Sequence, residues 1–131
     1  MLRFSIPTFR VSASRRAESF YCGKLGFRLD AAHRGTDDDP CYLGVSRDGV
    51  LLHLSSLAGE GPGWSSARIV CDDVDALHRE FTSRNVAIHI APVNQTWGAR
   101  EMYVKDPDGN TLCFQQWEVP GAELASGSEL G

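Results

Sequence analysis

The side chains able to do chemistry are few and widely spaced. The four cysteines, Cys22, Cys41, Cys71 and Cys113, include no C-x-x-C pair. That argues against a thiolate zinc site and for reduced, mostly buried thiols. The consecutive aspartates Asp37, Asp38 and Asp39 lie in the polar stretch HRGTDDDP and read as a solvated turn. Histidine suits general-base work near neutral pH, and His53 is a candidate, although no carboxylate to orient it can be named. Trp64 and Trp97 offer flat faces on which a planar molecule could stack, worth roughly 0.5–1.5 kcal/mol beyond burial. Trp97 could equally wedge its own loop, and Trp64 could lie in a subunit interface.

The elements that must position these groups are organised around Trp97 to Gln116, WGAREMYVKDPDGNTLCFQQ. At its centre is a turn, Asp106 to Gly109: Pro107 presets φ, Asp108 can bond its own backbone and Gly109 supplies a positive φ. The flanking runs Met102-Tyr103-Val104 and Thr111-Leu112-Cys113-Phe114 have the β-branched and aromatic content of paired strands. An earlier stretch, CYLGVSRDGVLLHLSS, repeats the pattern, with Asp48-Gly49 standing 60 residues before Asp108-Gly109. The same displacement sets Tyr21 on Phe81, Phe9 on Ile69, Leu52 on Leu112 and His53 on Cys113. One uniform, gapless offset predicts two copies of a strand, helix, three-strand unit, at about residues 5–56 and 65–117.

Composition bounds the rest. A chain of 131 residues with 42% hydrophobic and 23% charged content suits one soluble domain with a sizeable core. A net charge of −4 with scattered cations argues against nucleic acid as a partner. No apolar run approaches membrane-span length, and MLRFSIPTFR lacks a signal-peptide core, so a cytoplasmic protein without membrane contact is expected.

In chain order, residues 6–11 read as a strand, and Ser12 or Ser14 as the cap of an amphipathic helix over 14–24, stopped near Gly26. A strand begins at 27–32, and two more flank Asp48-Gly49. Residues 57–64, rich in Gly and Pro, form a linker. In the second unit Asp72 or Asp73 caps a helix whose apolar stripe is Val74, Leu77, His78 and Phe81. A strand over 87–92 and a loop carrying Trp97 lead to the last hairpin. Residues 118–131, PGAELASGSELG at their end, read as a disordered tail.

FYCGKLGF, CDDVDAL and WGAREMYVKDPDGN resemble the vicinal oxygen chelate superfamily, which includes glyoxalase I, extradiol dioxygenases, fosfomycin-resistance enzymes and bleomycin-resistance proteins. The resemblance covers about residues 5–117. It implies an α+β fold of two βαβββ modules, each a curved sheet, around a cavity. Length and the Trp-Gly-Ala-Arg-Glu hairpin are most similar to bleomycin-resistance proteins, which are homodimers with ligand grooves at the subunit interface and often a swapped N-terminal strand.

Enzymes of this superfamily hold a divalent metal with four residues on the first and last strands of the modules. The matching positions here are Ile6, His53, Ser66 and Cys113. Ile6 cannot coordinate, neutral Ser66 is a poor ligand and the usual carboxylate is missing, so no metal or other cofactor is expected. If those positions look into the cavity, alternation adds Thr8, Arg10, Leu51, Ser55, Arg68, Val70, Thr111 and Gln115 to it. The opposite parity, Phe9, Val11, Ile69, Cys71, Leu52, Leu54, Leu112 and Phe114, is almost wholly apolar, as a helix-covered face should be. The candidate ligand contacts are therefore Thr8, Arg10, His53, Ser55, Trp64, Arg68, Trp97, Met102, Thr111, Cys113 and Gln115. Two inward arginines favour an anionic ligand group, whereas the net charge leans the other way. Arg100 and Glu101 match the family motif as a structural ion pair or cap. The expectation is a metal-free homodimer that sequesters a planar small molecule. The alternatives are a metal-dependent lyase, isomerase or dioxygenase using His53, Cys113 and a ligand such as His33 or His89, and a metal-free enzyme with His53 as base beside Cys113.

Overall fold

The computed structural model describes residues 1–58 and 63–117; the expected tail lies outside them, as does half of the expected linker. Eight strands form two four-stranded sheets. The first contains β1 (Thr8–Arg10), β2 (Arg28–Arg34), β3 (Cys41–Arg47) and β4 (Val50–Ser55), in the order β1-β4-β3-β2. The second contains β5 (Ser66–Val70), β6 (Ile88–Asn94), β7 (Ala99–Lys105) and β8 (Thr111–Trp117), in the order β5-β8-β7-β6. Helix α1 (Ser14–Glu18), continued by a π-helical segment (Ser19–Lys24), follows β1, and α2 (Val74–Ser83) follows β5. The fold is therefore α+β, with one βαβββ topology used twice. No helix among the described residues is long and apolar enough to cross a membrane.

In the first sheet β1 runs parallel to β4, with Thr8 opposite His53 and Arg10 opposite Ser55. The β3–β4 hairpin places Gly44 opposite His53 and Tyr42 opposite Ser55. Residues directly opposed in register share a face, so Thr8, Arg10, Tyr42, Gly44, His53 and Ser55 lie on one side. Phe9, Leu43, Val45, Leu52 and Leu54 lie on the other, and all are buried. That apolar side is the helix-covered one: Arg34, opposite Cys41 in register, reaches Ser14 and Glu18 of α1. In the second unit the ring of Phe81 from α2 meets Phe114 of β8 edge-on at 5.3 Å.

Several local expectations are corrected. The first helix does not stay α-helical to Lys24. It widens, with Leu25 N–H reaching the Phe20 carbonyl, the i→i+5 pattern of a π turn. Ala13 occupies its N-cap and supplies no side-chain bond. The Ser14 N–H instead donates to the Asp39 carboxylate at 3.1 and 3.2 Å, which also accepts from Ser56 Oγ at 2.8 Å. Asp38 pairs with Arg15 at 3.2 Å, so the aspartate loop is no simple solvated turn but fastens α1. Burial pushes the Asp39 carboxyl up, but the Ser56 and Ser14 donors outweigh it and hold it below the usual range. Asp73 does cap α2, accepting from Ala76 N–H at 3.0 Å. Strand β6 runs through Pro92, which an edge strand tolerates because its N–H is not needed in the ladder.

The predicted hairpin turn forms, but its bonds differ from expectation. Asp106, not Asp108, organises it: its Oδ1 accepts the N–H groups of Asp108 and Asn110, both at 2.9 Å. Asp108 accepts instead from Ser12 Oγ at 2.7 Å and from Arg16 at 3.0 Å. Contacts divide the chain into two compact units. Met1–Ala67 together with Lys105–Thr111 form one, and Arg68–Val104 with the strand from Leu112 form the other. The last hairpin's turn thus packs with the first unit, where Tyr21 donates its hydroxyl to Asp106 at 2.8 Å and Asn110 Nδ2 donates to the Arg10 carbonyl at 2.8 Å.

The uniform 60-residue offset also fails in one place. It sets Cys41 on Glu101, yet Cys41 shares parity with Leu43 on the apolar face, whereas Glu101 bonds Gln115 and Arg68 on the other face. An offset of 59 restores the match, pairing Tyr42 with Glu101 and Gly44 with Tyr103. The first hairpin closes on two residues, Asp48-Gly49, between paired Arg47 and Val50, while three, Pro107 to Gly109, lie between Asp106 and Asn110, whose backbones bond at 2.9 Å. The longer turn absorbs the extra residue.

Candidate functional site

In the second unit the site is built on a fully buried carboxylate. Alternation along β7 sends Glu101 and Tyr103 to one face and Arg100, Met102 and Val104 to the other. Arg100 spans to the first turn of α2, gripping Asp75 at 2.9 and 3.0 Å. Met102, expected among the ligand contacts, is instead fully buried with Val104 in the core. Its neighbour Glu101 has no exposure at all and accepts from four side chains. These are Tyr103 Oη at 2.6 Å, Gln115 Nε2 at 2.5 Å, Arg68 Nη1 at 2.9 Å and Trp97 Nε1 at 3.2 Å.

Those bonds decide what Glu101 can do. Burial pushes its carboxyl up, but the Tyr103, Gln115 and Trp97 donors and the charge of Arg68 outweigh it, so it is held below the usual glutamate range. A carboxylate with its lone pairs filled is a poor general base. Burial, then the Glu101 hydrogen bond, pushes the Tyr103 phenol up to about 12. Burial and the Glu101 charge push the Cys113 thiol up to about 11, which keeps it a protonated, weakly nucleophilic group. The carboxylate instead works as a fixed point: it holds the edge of the Trp97 ring and the head of Arg68, whose side chain is 51% exposed. Arg100 and Glu101 are thus both structural, but pair with Asp75 and Arg68 rather than with each other.

In the first unit the corresponding face carries His53 and Tyr42. The Tyr42 hydroxyl lies 2.8 Å from His53 Nδ1, with the rings edge-on at 5.2 Å. The imidazole rests over Gly44, its Nε2 only 3.6 Å from where a Cβ would stand. Thr8 and Arg10 follow on β1, and the Arg10 guanidinium donates to the Leu57 carbonyl. Ser55 is buried and its hydroxyl accepts from Leu57 N–H at 3.2 Å. Trp64 is 83% exposed and lies against the turn, its ring 2.7 Å from a Cβ built on Gly109. Thr111 N–H pairs with the Ser65 carbonyl beside it.

The sequence therefore selected Thr8, Arg10, His53, Ser55, Trp64 and Thr111 in one unit, and Arg68, Trp97, Cys113 and Gln115 in the other. It missed Tyr42 and Tyr103 and gave Glu101 no part in holding Trp97. The signal for all three was strand parity on β3 and β7, hidden by the assumption of one constant offset.

Residues 1–120 match the family model described as glyoxalase superfamily protein. The chain belongs to the glyoxalase superfamily. A bleomycin resistance protein of Geobacillus stearothermophilus is 26% identical over 132 aligned positions, covering 86% of this chain and 95% of that one. Among solved structures, TnmS3, an antibiotic binding protein from Streptomyces sp. CB03234, is 31% identical over 90% of this chain and 99% of its own, with a TM-score of 0.68. A bleomycin-binding protein complexed with bleomycin shares the fold at a TM-score of 0.73 and 24% identity, covering 89% of this chain and all of that one.

The superfamily's metal raises the question of fit at Ile6, His53, Ser66 and Cys113. Ile6 has no donor atom, and Ser66 is an exposed hydroxyl. His53 has one ring nitrogen engaged by Tyr42. The Cys113 sulfur is protonated and has a guanidinium nitrogen of Arg68 at 3.3 Å, a resident cation that repels a second one. Among the described residues no three His, Cys, Asp or Glu side chains converge. This donor set does not fit the superfamily's divalent metal.

Proposed function

We propose that this glyoxalase-superfamily chain is a metal-free binding protein that sequesters a planar, drug-like molecule and does not transform it. The observation that carries the reading is the Glu101 network. Glu101, fully buried, spends its oxygens on Tyr103, Gln115, Arg68 and Trp97, which fixes the edge of a flat aromatic ring and takes that carboxylate out of general-base work. Preorganised aromatics cut the entropic cost of binding. The antibiotic-binding protein and the bleomycin resistance protein among its relatives support the same class of ligand.

The reading includes a homodimer with the ligand groove at the subunit interface. Exposed apolar side chains on the N-terminal segment, Met1, Leu2 and Phe4, and on the strands, Val70, Ile90 and Val93, support a second copy as partner. Light scattering on the purified protein checks the dimer.

Isothermal titration with bleomycin, alongside elemental analysis of the same preparation, tests the function. Saturable binding of unmodified drug, weakened about tenfold in Trp97→Ala, is the expected result. Recovery of a chemically altered drug, or one tightly held divalent metal per chain, would sink it in favour of a metal-dependent lyase, isomerase or dioxygenase.

A further inference from the structure

We infer that the His53 face of the first sheet is an anion-accepting subsite, taking a carboxylate, sulfonate or phenolate carried by an aromatic ligand; this rests on the binding reading above. Register brings Thr8 and Arg10 of β1, His53 of β4, Tyr42 and Gly44 of β3, and His33 of β2 to one face. The side chains of Thr8, Arg10, His53, Tyr42 and His33 carry hydrogen-bond donors or cations, and His53 lies at van der Waals distance over Gly44. The Tyr42 hydroxyl and His53 Nδ1 stand 2.8 Å apart; in the tautomer where the phenol donates, the imidazole proton resides on Nε2, over Gly44, as a further donor.

What makes the face anion-accepting is the missing counter-charge. Among the described residues, the carboxylate on this side of the sheet is Asp30, which is closed by Arg28 at 2.8 Å and by Ser46. Ser46 is two residues along β3 from Gly44 and four from Tyr42, about 7 and 13 Å at the rise of a strand, so the carboxylate that Arg28 neutralises lies at the Ser46 end of the face. Among the described residues the Arg10 head donates to one backbone carbonyl, that of Leu57, a bond that occupies one of its five N–H groups. Arg68 in the second unit is the control: a guanidinium on the matching face of the same topology, neutralised by buried Glu101.

The test compares naphthalene-2-sulfonate with 2-naphthalenemethanol, matched in shape and different in charge, by isothermal titration. The sulfonate should bind about tenfold tighter at low salt. That ratio should shrink as ionic strength rises, fall to near one in Arg10→Gln and be partly kept in Arg10→Lys. Equal affinities for the two probes in the wild type, or a ratio that Arg10→Gln leaves untouched, overturns the subsite while the binding reading stands. Failure to bind either probe overturns the subsite too, and whether bleomycin is bound then decides the broader reading. Should Arg10→Gln not fold, the salt dependence of the wild-type ratio decides alone.

Discussion

The two sheets share one topology and differ in what their uncovered faces hold. At matched positions the first has Tyr42, Gly44 and His53, and the second has Glu101, Tyr103 and Cys113. Among the described residues the first face keeps a cation, Arg10, whose head donates to the Leu57 carbonyl; the second buries a carboxylate and gives it four side-chain donors. The difference teaches that a duplicated backbone preserves register and core while its exposed parity is free to diverge. The apolar faces of the two sheets remain interchangeable in character, Leu52 and Leu54 against Leu112 and Phe114.

The comparison can be broken hardest at Glu101. Replacing it with Ala orphans the Trp97, Gln115 and Tyr103 donors and leaves Arg68 unpaired, a loss of about 3 kcal/mol. Tyr42→Phe, at the matching position of the first sheet, should cost only about 1 kcal/mol. Thermal unfolding of both variants reads the difference, and equal losses would refute the claim that the second face is the more tightly wired. Acid sharpens the same contrast. Because the folded Glu101 carboxyl is held below its unfolded value, the unfolded chain binds more protons between the two. Its stabilisation is therefore present above about pH 4.3 and is lost as pH falls through the folded value. The slope of stability against pH below that point should be shallower in Glu101→Gln than in wild type.

A second pair of matched positions is Tyr21 and Phe81. Tyr21→Phe removes the hydroxyl bonded to Asp106 and makes the first unit resemble the second, at a cost of about 2 kcal/mol for a bond to a charged acceptor. Urea denaturation measures it; a neutral outcome would show that the other Asp106 bonds, to Asn110 and the turn backbone, suffice. The hairpin glycines give a further matched pair. Gly49 and Gly109 both hold positive φ, 81° and 85°, so Ala at either should cost about 1–2 kcal/mol. At Gly49 a Cβ meets nothing within 4 Å, whereas at Gly109 it meets Trp64 at 2.7 Å. Gly109→Ala should therefore cost slightly more and alone should shift tryptophan emission.

Much of this was legible from residues alone. Asp106 to Gly109 announced a hairpin because Pro and Gly restrict φ locally, and Val74 and Phe81 marked a helix face through simple periodicity. Asp73 was readable as a cap for the same reason. What could not be read depends on contacts distant in sequence. Asp39 capping Ser14 needs the loop before β3 folded onto α1, and Asp108 meeting Ser12 crosses most of the chain. The face of Glu101 turned on a single residue of turn length, which local pattern does not reveal. Met102, expected among the ligand contacts, alternates with Glu101 along β7 and lies buried in the core.

The docking of Lys105–Thr111 within the first unit has a consequence for the ancestry of the chain. A half-length precursor, ending before the second copy began, would have lacked Asp106, Asp108 and Asn110, and its Tyr21 hydroxyl and Arg10 carbonyl would have wanted partners. Such a molecule would have left them to water or to the hairpin of a sister molecule. Tandem duplication would then have brought both lenders into one polypeptide, and severing that polypeptide in its Gly-rich connector would return two mutually dependent fragments rather than two self-sufficient ones.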